Sequence, residues 1–125
     1  MLLVHSGDVP AEPVDKPGFS HMKARFLLTA REGCPRYALR LMEIGPGGCT
    51  SFHSHQEEHE MFFLKGEGSL RTADHEGISI RPGDALLLMP CEQHQIRNTG
   101  KGILKMVCTV PLLPGKTGRE TTPCE

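Results

Sequence analysis

The amino-acid sequence predicts an all-β fold, a sandwich or barrel of short strands, on three observations. Short runs alternate apolar with polar side chains. Turn residues punctuate those runs, with 14 Gly and 10 Pro among 125 residues. No stretch before residue 111 sustains a helical period.

Residues 1–21 form an extended arm, because Pro10, Pro13 and Pro17 with Gly7 and Gly18 permit at most one edge strand. Met22–Thr29 is a strand in which Lys23 and Arg25 alternate with Ala24, Phe26 and Leu28. A turn at Glu32-Gly33-Cys34-Pro35 leads to a second strand, Tyr37–Ile44, closed by Gly45-Pro46-Gly47-Gly48. There Arg40, Met42 and Ile44 share one face and Leu39, Leu41 and Glu43 the other; the pattern leaves open which face is internal. Further strands follow at Ser51–His55, Glu60–Lys65, Gly68–Ala73, Ile78–Ile80 and Ala85–Met89, with turns at Asp74–Gly77 and Arg81–Asp84. His94–Asn98 and Ile103–Val110 flank a turn at Thr99–Gly102. In the last strand Leu104, Met106, Cys108 and Val110 alternate with Lys105 and Thr109, which places Cys108 inside. The barrel thus spans residues 22–111, and the Pro/Gly/Thr-rich residues 112–125 read as a flexible tail.

A chain of this length is one domain that buries roughly two-thirds of its unfolded surface, so it needs no disulfide or structural metal to fold. Its net charge of −1, with both signs interspersed, gives no electrostatic footprint for nucleic acid or membrane. Met1-Leu2-Leu3-Val4 is too short for a signal peptide or a membrane span. Five cysteines, an odd number without a CxxC pair, point to a reduced, cytoplasmic setting with no disulfide framework.

Function is sought in the histidines. His53, His55 and His59 fall within His53-Ser54-His55-Gln56-Glu57-Glu58-His59, and His94 follows thirty-five residues later. On strands, residues two apart share a face, so His53 and His55 project together, His59 aligns with Met61 and Phe63, and His94 aligns with Ile96 and Asn98. Four imidazoles can then converge inside a closed sheet as transition-metal ligands. His55 and His59 could also bind zinc from a helix, but the aromatic run Met61–Leu64 followed by Gly66 and Gly68 favours a strand. A structural zinc site of Cys49, His53, Cys91 and His94 would lack the usual paired cysteine spacings. His5, His21 and His75 lie in the arm or in turns and read as surface residues.

Read together, these segments resemble the two motifs of the cupin superfamily. The first, G-x5-H-x-H-x3-E-x6-G, is matched by Gly47, His53, His55, position 59 and Gly66; the second, G-x5-P-x4-H-x3-N, by Gly83, position 89, His94 and Asn98. Met89 replaces the usual proline, with Pro90 after it, and His59 replaces the usual glutamate ligand. The chain is similar to small single-domain cupins with four histidine ligands, some of which bind manganese. The resemblance covers about residues 37–110. It implies a double-stranded β-helix (jelly-roll) barrel, commonly a homodimer in which N-terminal strands join the neighbour's sheet. Glu60 competes for the ligand position, but Gly66 stands seven residues after His59 as in the motif, and Glu60 would face away.

Such a site would hold one divalent transition metal per chain: manganese as in the resembled subgroup, or Fe, Ni, Zn or Cu. Four neutral imidazoles leave the ion its full charge, which favours anions and enolates, and open positions permit Lewis-acid or oxygenase chemistry. Candidate catalytic residues are Arg40, an anchor for a carboxylate substrate if it faces inward, and Cys108, whose main role is packing. Gln56, Glu92 and Gln93 are candidates to orient the ligand rings. Cys91 lies near the mouth and Arg97 is solvated. The expectation is a metal-dependent dioxygenase or other oxidoreductase acting on a small organic molecule. A non-catalytic small-molecule or metal sensor, or an isomerase or lyase, is the alternative.

Overall fold

The computed structural model describes all 125 residues. Nine strands carry the fold: β1 Glu12–Pro13, β2 Ser20–Leu28, β3 Tyr37–Cys49, β4 His59–Lys65, β5 Gly68–Thr72, β6 Ile78–Ile80, β7 Ala85–Leu88, β8 His94–Asn98 and β9 Leu104–Pro111. The only helical pieces are 3₁₀ turns at Ser6–Asp8 and Ala30–Glu32. All strand pairings are antiparallel. The order is β6-β5-β8-β3-β9-β4-β7, with β2 laid on β3 and β1 on β2. The expected all-β architecture is present.

The core follows strand alternation. Leu104, Met106, Cys108 and Val110 of β9 are buried, and so are His59, Met61 and Phe63 of β4 and His94, Ile96 and Asn98 of β8. Register fixes the face that the sequence left open: Arg40 pairs with Cys108, Met42 with Met106 and Ile44 with Leu104, and all three β3 residues are buried. Arg40 therefore enters the barrel.

Three local expectations change. Gly45–Gly48 does not end the second strand. Ser20 pairs with Cys49 and Met22 with Ile44, so four residues of β3 bulge against His21 alone. Ser51–His55 is not a ladder strand but a single bridge, His53 to His94. Cys91 and Cys124 form a disulfide across 33 residues, leaving Cys34, Cys49 and Cys108 free. The expectation of no disulfide is thus corrected. Spacing carries no sign of two cysteines that meet only because the chain end returns.

That return also alters the picture of a frayed end. Thr122 donates through N and Oγ1 to the Glu57 carboxylate at 2.9 and 2.7 Å, and Arg119 binds both oxygens of Glu12. The N-terminal arm is tied as well, since Arg25 donates to the carbonyls of Ser6 and Val9. Asn98 staples the barrel end, with Nδ2 donating to Ile44 and Gly102 carbonyls and Oδ1 accepting from Gly100 N. Gly66, at φ +88°, lies so close to β9 that a Cβ would sit 2.4 Å from Ile103 O. No helix is long and apolar enough to cross a membrane.

Candidate metal centre

The histidines meet because the Thr50–His53 segment runs beside β8. Thr50 N donates to Ile96 O, and His53 and His94 exchange backbone hydrogen bonds in both directions. The ring nitrogens of His53, His55 and His94 lie within 4.8 Å of one another. Two nitrogens on one ion lie at most ~4.2 Å apart, so only small inward movements separate this arrangement from a bound set.

Each of these three rings is held the same way. Nδ1 of His53, His55 and His94 lies 2.8 Å from the backbone carbonyl of Ser51, Glu57 and Glu92 respectively. A carbonyl oxygen only accepts, so each Nδ1 carries the proton and each Nε2 keeps its lone pair. Nε2 of His55 is buried and has no hydrogen-bond partner. Inward-facing imidazole lone pairs fixed by backbone acceptors are the arrangement that a divalent transition metal requires, and these residues fit one.

His59 enters the same chamber, its ring 4.3 Å from that of His55 and 5.8 Å from that of His94. It stands outside the set of three, and Arg40 Nη2 donates to its Nε2 at 3.3 Å. Its Nδ1, which must then carry the proton, is buried without an acceptor. Such an unmet donor costs about 1–3 kcal/mol, a cost usually associated with function. Glu60 points outward from β4.

Burial governs the protonation of the whole cluster. It lowers the pKa of His53, His55 and His59, and His59 is held down further by the Arg40 charge. His94 is pushed down to about 4, again chiefly by burial. All four imidazoles are therefore neutral near neutral pH, and a metal need displace no proton there.

The rings line a cavity of about 90 Å³, walled by Phe19 and Val14 from the N-terminal arm, methionines of the barrel, and Arg119 and Thr121 of the C-terminal segment. Arg40 is 4% exposed and lies on this cavity; its Nη2 also approaches Cys108 Sγ at 3.3 Å. Cys108 is fully buried behind it.

Other sequence candidates fall elsewhere. Gln93 is exposed, and the Gln56 side chain donates to Pro123 O. Glu92 acts on His94 through its carbonyl, while its carboxylate accepts from Met89 N. Main-chain oxygens thus do the orienting expected of these side chains. Cys49 contacts Ser20 and Gly18, and Cys91 is in the disulfide, so the four-residue Cys/His zinc site is not formed. His5, His21, His75 and Arg97 are exposed. Glu57, only 2% exposed, was missed; its carbonyl holds His55 while its carboxylate holds the chain end. Nothing in the run Gln56-Glu57-Glu58 distinguishes it from a solvated turn.

Comparison with known proteins settles the lineage. The family model described as Cupin domain matches residues 40–110. The chain belongs to the cupin family. Among solved structures, this cupin is similar to the polyketide cyclase RemF from Streptomyces resistomycificus, with 30% identity and a TM-score of 0.83 over 89% of this chain and 79% of that one. Among curated proteins, it is 26% identical to Auxin-binding protein 1 of Arabidopsis thaliana over 87% of this chain and 58% of that protein. It is 31% identical to the uncharacterized protein MJ1618 of Methanocaldococcus jannaschii over 50% of each chain. The chain therefore spans little more than half the length of the curated relatives it matches.

Proposed function

We propose that this cupin is a mononuclear metalloenzyme of the Lewis-acid type, acting on a small carbonyl or enolic substrate in a cyclase- or isomerase-like reaction. One divalent first-row ion is held by His53, His55 and His94, with His59 as fourth ligand once its Nε2 leaves Arg40. Manganese is the ion of the resembled subgroup. The observation that carries the reading is the shared restraint of three rings, each Nδ1 on a main-chain oxygen and each Nε2 left with its lone pair. A second support is the likeness to a polyketide cyclase at 30% identity. Such an ion, when bound, would supply Lewis-acid polarisation of a carbonyl oxygen. The chain itself contributes a neutral ligand cage, and a chamber walled by methionines and phenylalanines together with the Arg40 guanidinium.

Elemental analysis of the purified protein and its variants tests the ligand set. His55→Ala should abolish metal retention, His59→Ala should lower it, and Glu60→Ala should leave it unchanged. Equal metal in His59→Ala and wild type would sink the four-histidine assignment. The metal-loaded protein is then assayed on a panel of carbonyl and enolic compounds for isomer or ring formation, with an oxygen electrode in parallel. Substrate-dependent oxygen uptake would replace the Lewis-acid reading with the dioxygenase type. Absence of turnover with every metal would make a binding or sensing role the better account.

A further inference from the structure

Arg40 is a buried cation without an anion. Its side chain enters the barrel from β3, and its polar neighbours are a neutral imidazole, His59 Nε2, and the thiol of Cys108. Nε is buried with no partner at all, and no carboxylate lies within ion-pair distance of the guanidinium. Buried charges are normally paired, because removing an ion from water without compensation is among the most costly arrangements in a protein.

The surroundings sharpen the imbalance. Lys16, Arg40 and Arg119 all line the cavity, and no Asp or Glu does. Arg119 is already engaged with both oxygens of Glu12. A divalent ion on the histidines would add positive charge to the same chamber. The missing partner is therefore an anion that enters from outside. Its size and charge follow from the walls: about 90 Å³ of space, one free guanidinium, and Met42, Met61 and Met106 as apolar lining.

We propose that the cavity binds a small monocarboxylate, gripped by the Arg40 guanidinium, with a short apolar substituent against the methionines. Arg40 is then the residue that selects an anionic substrate over its neutral analogue. A carboxylate matches the planar fork of a guanidinium. A phosphate, with more charge and more oxygens, would find only Lys16 as a further unpaired cation on this cavity, because Arg119 is held by Glu12. This assignment deepens the metalloenzyme reading and rests on the same cavity, but the grip of Arg40 on the anion does not itself require the metal.

The test is calorimetric titration of the full-length protein, as purified and after chelation, with isobutyrate, the isosteric isobutyramide, and inorganic phosphate. Wild type should bind isobutyrate about tenfold or more tighter than isobutyramide, as expected for a charge-assisted hydrogen bond, and tighter than phosphate. Arg40→Met should lose that preference, and Arg40→Lys should keep part of it. Ligand-free Arg40→Met should melt no lower than wild type, since an apolar chain replaces an unpaired charge, and isobutyrate should raise the melting temperature of wild type, that of Arg40→Lys by less, and that of Arg40→Met not at all. Equal affinity of wild type for acid and amide, tighter binding of phosphate, or undiminished isobutyrate binding by Arg40→Met would overturn the proposal. So would a marked drop in the melting temperature of Arg40→Met, which would mark Arg40 as structural. Should that variant fail to fold, the failure counts against the proposal in the same way, and wild type and Arg40→Lys still report the preference. Metal content measured on the same samples separates the two readings. Loss of metal binding with Arg40-dependent carboxylate binding intact would remove the metalloenzyme reading and support this one. Metal bound without carboxylate preference would remove this one alone.

Discussion

Acidifying the metal-free protein probes the burial of the histidines directly, and His94 supplies the magnitude. Burial among His53, His55 and the β8 core takes its pKa from 6.5 in the open chain to about 4 in the fold. The folded state therefore binds fewer protons than the unfolded state between those two values, and stability is lost as pH falls through that window. Above the unfolded value, neither state is charged at this site and the contribution is flat. At ~1.4 kcal/mol per pH unit, the full loss for this one residue is about 3 kcal/mol, a large share of the ~5–15 kcal/mol that holds a typical domain. Urea denaturation of chelated wild type and of His94→Gln, from about pH 7 to about pH 4, isolates that share from the titrations of groups remote from the cluster. The difference between the two should move by about 3 kcal/mol in favour of the variant as the pH falls. A difference constant to within about 0.5 kcal/mol would show that His94 titrates like an exposed imidazole, and the account of a neutral, prearranged ligand cage would fail.

Three further outcomes follow from single contacts. Asn98→Ala removes both donations to backbone carbonyls and the acceptance from Gly100; it should cost about 2–4 kcal/mol in urea denaturation while leaving metal content per folded chain unchanged. Gly66→Ala forces a Cβ against Ile103 O at positive φ; a loss of about 2 kcal/mol or more is expected, and a wild-type melting curve would contradict the close approach. Reduction of Cys91–Cys124 opens a loop of 33 residues, worth about 3–4 kcal/mol on chain-entropy grounds. Reductant should lower the wild-type melting temperature and expose the segment near Arg119 to trypsin, with no effect on a Cys91→Ser/Cys124→Ser variant.

How much of this was legible in the sequence depended on the range of the forces involved. The β9 alternation was readable because a strand that shields one face needs only its own periodicity, and Cys108 lies inside as that pattern requires. In β3 the same logic stalled, since Leu41 is buried as well as Met42, so apolar residues occupy both faces and only pairing with β9 decides for Arg40. Gly45–Gly48 has the composition of a turn, yet β2 pairs on both sides of it, Met22 with Ile44 and Ser20 with Cys49, and makes it a bulge. The chain end was opaque for a different reason. Its anchors are solitary long-range pairs, Thr122 with Glu57, Arg119 with Glu12 and Cys124 with Cys91, and none of them leaves a local pattern. Within the centre, histidine spacing and parity pointed to four side chains that line one cavity. The hold of Arg40 on His59 required knowing how β3 and β4 lie across β9.

The oxygens that aim His53, His55 and His94 belong to the peptide chain, so no point substitution can delete them. Replacing the side chain of Ser51 removes its hydroxyl, 3.0 Å from His53 Nδ1, and replacing that of Glu92 removes an acceptor for Met89 N, but either change leaves the carbonyl in place. The orientation of the rings is thus encoded by the path of two loops and is robust to the identity of the residues along them. Sequence drift at positions 51 and 92 is accordingly compatible with an intact centre, whereas an insertion or deletion of one residue in either loop would turn a ring away. Tolerance to substitution combined with intolerance to length change is the evolutionary signature this centre should bear.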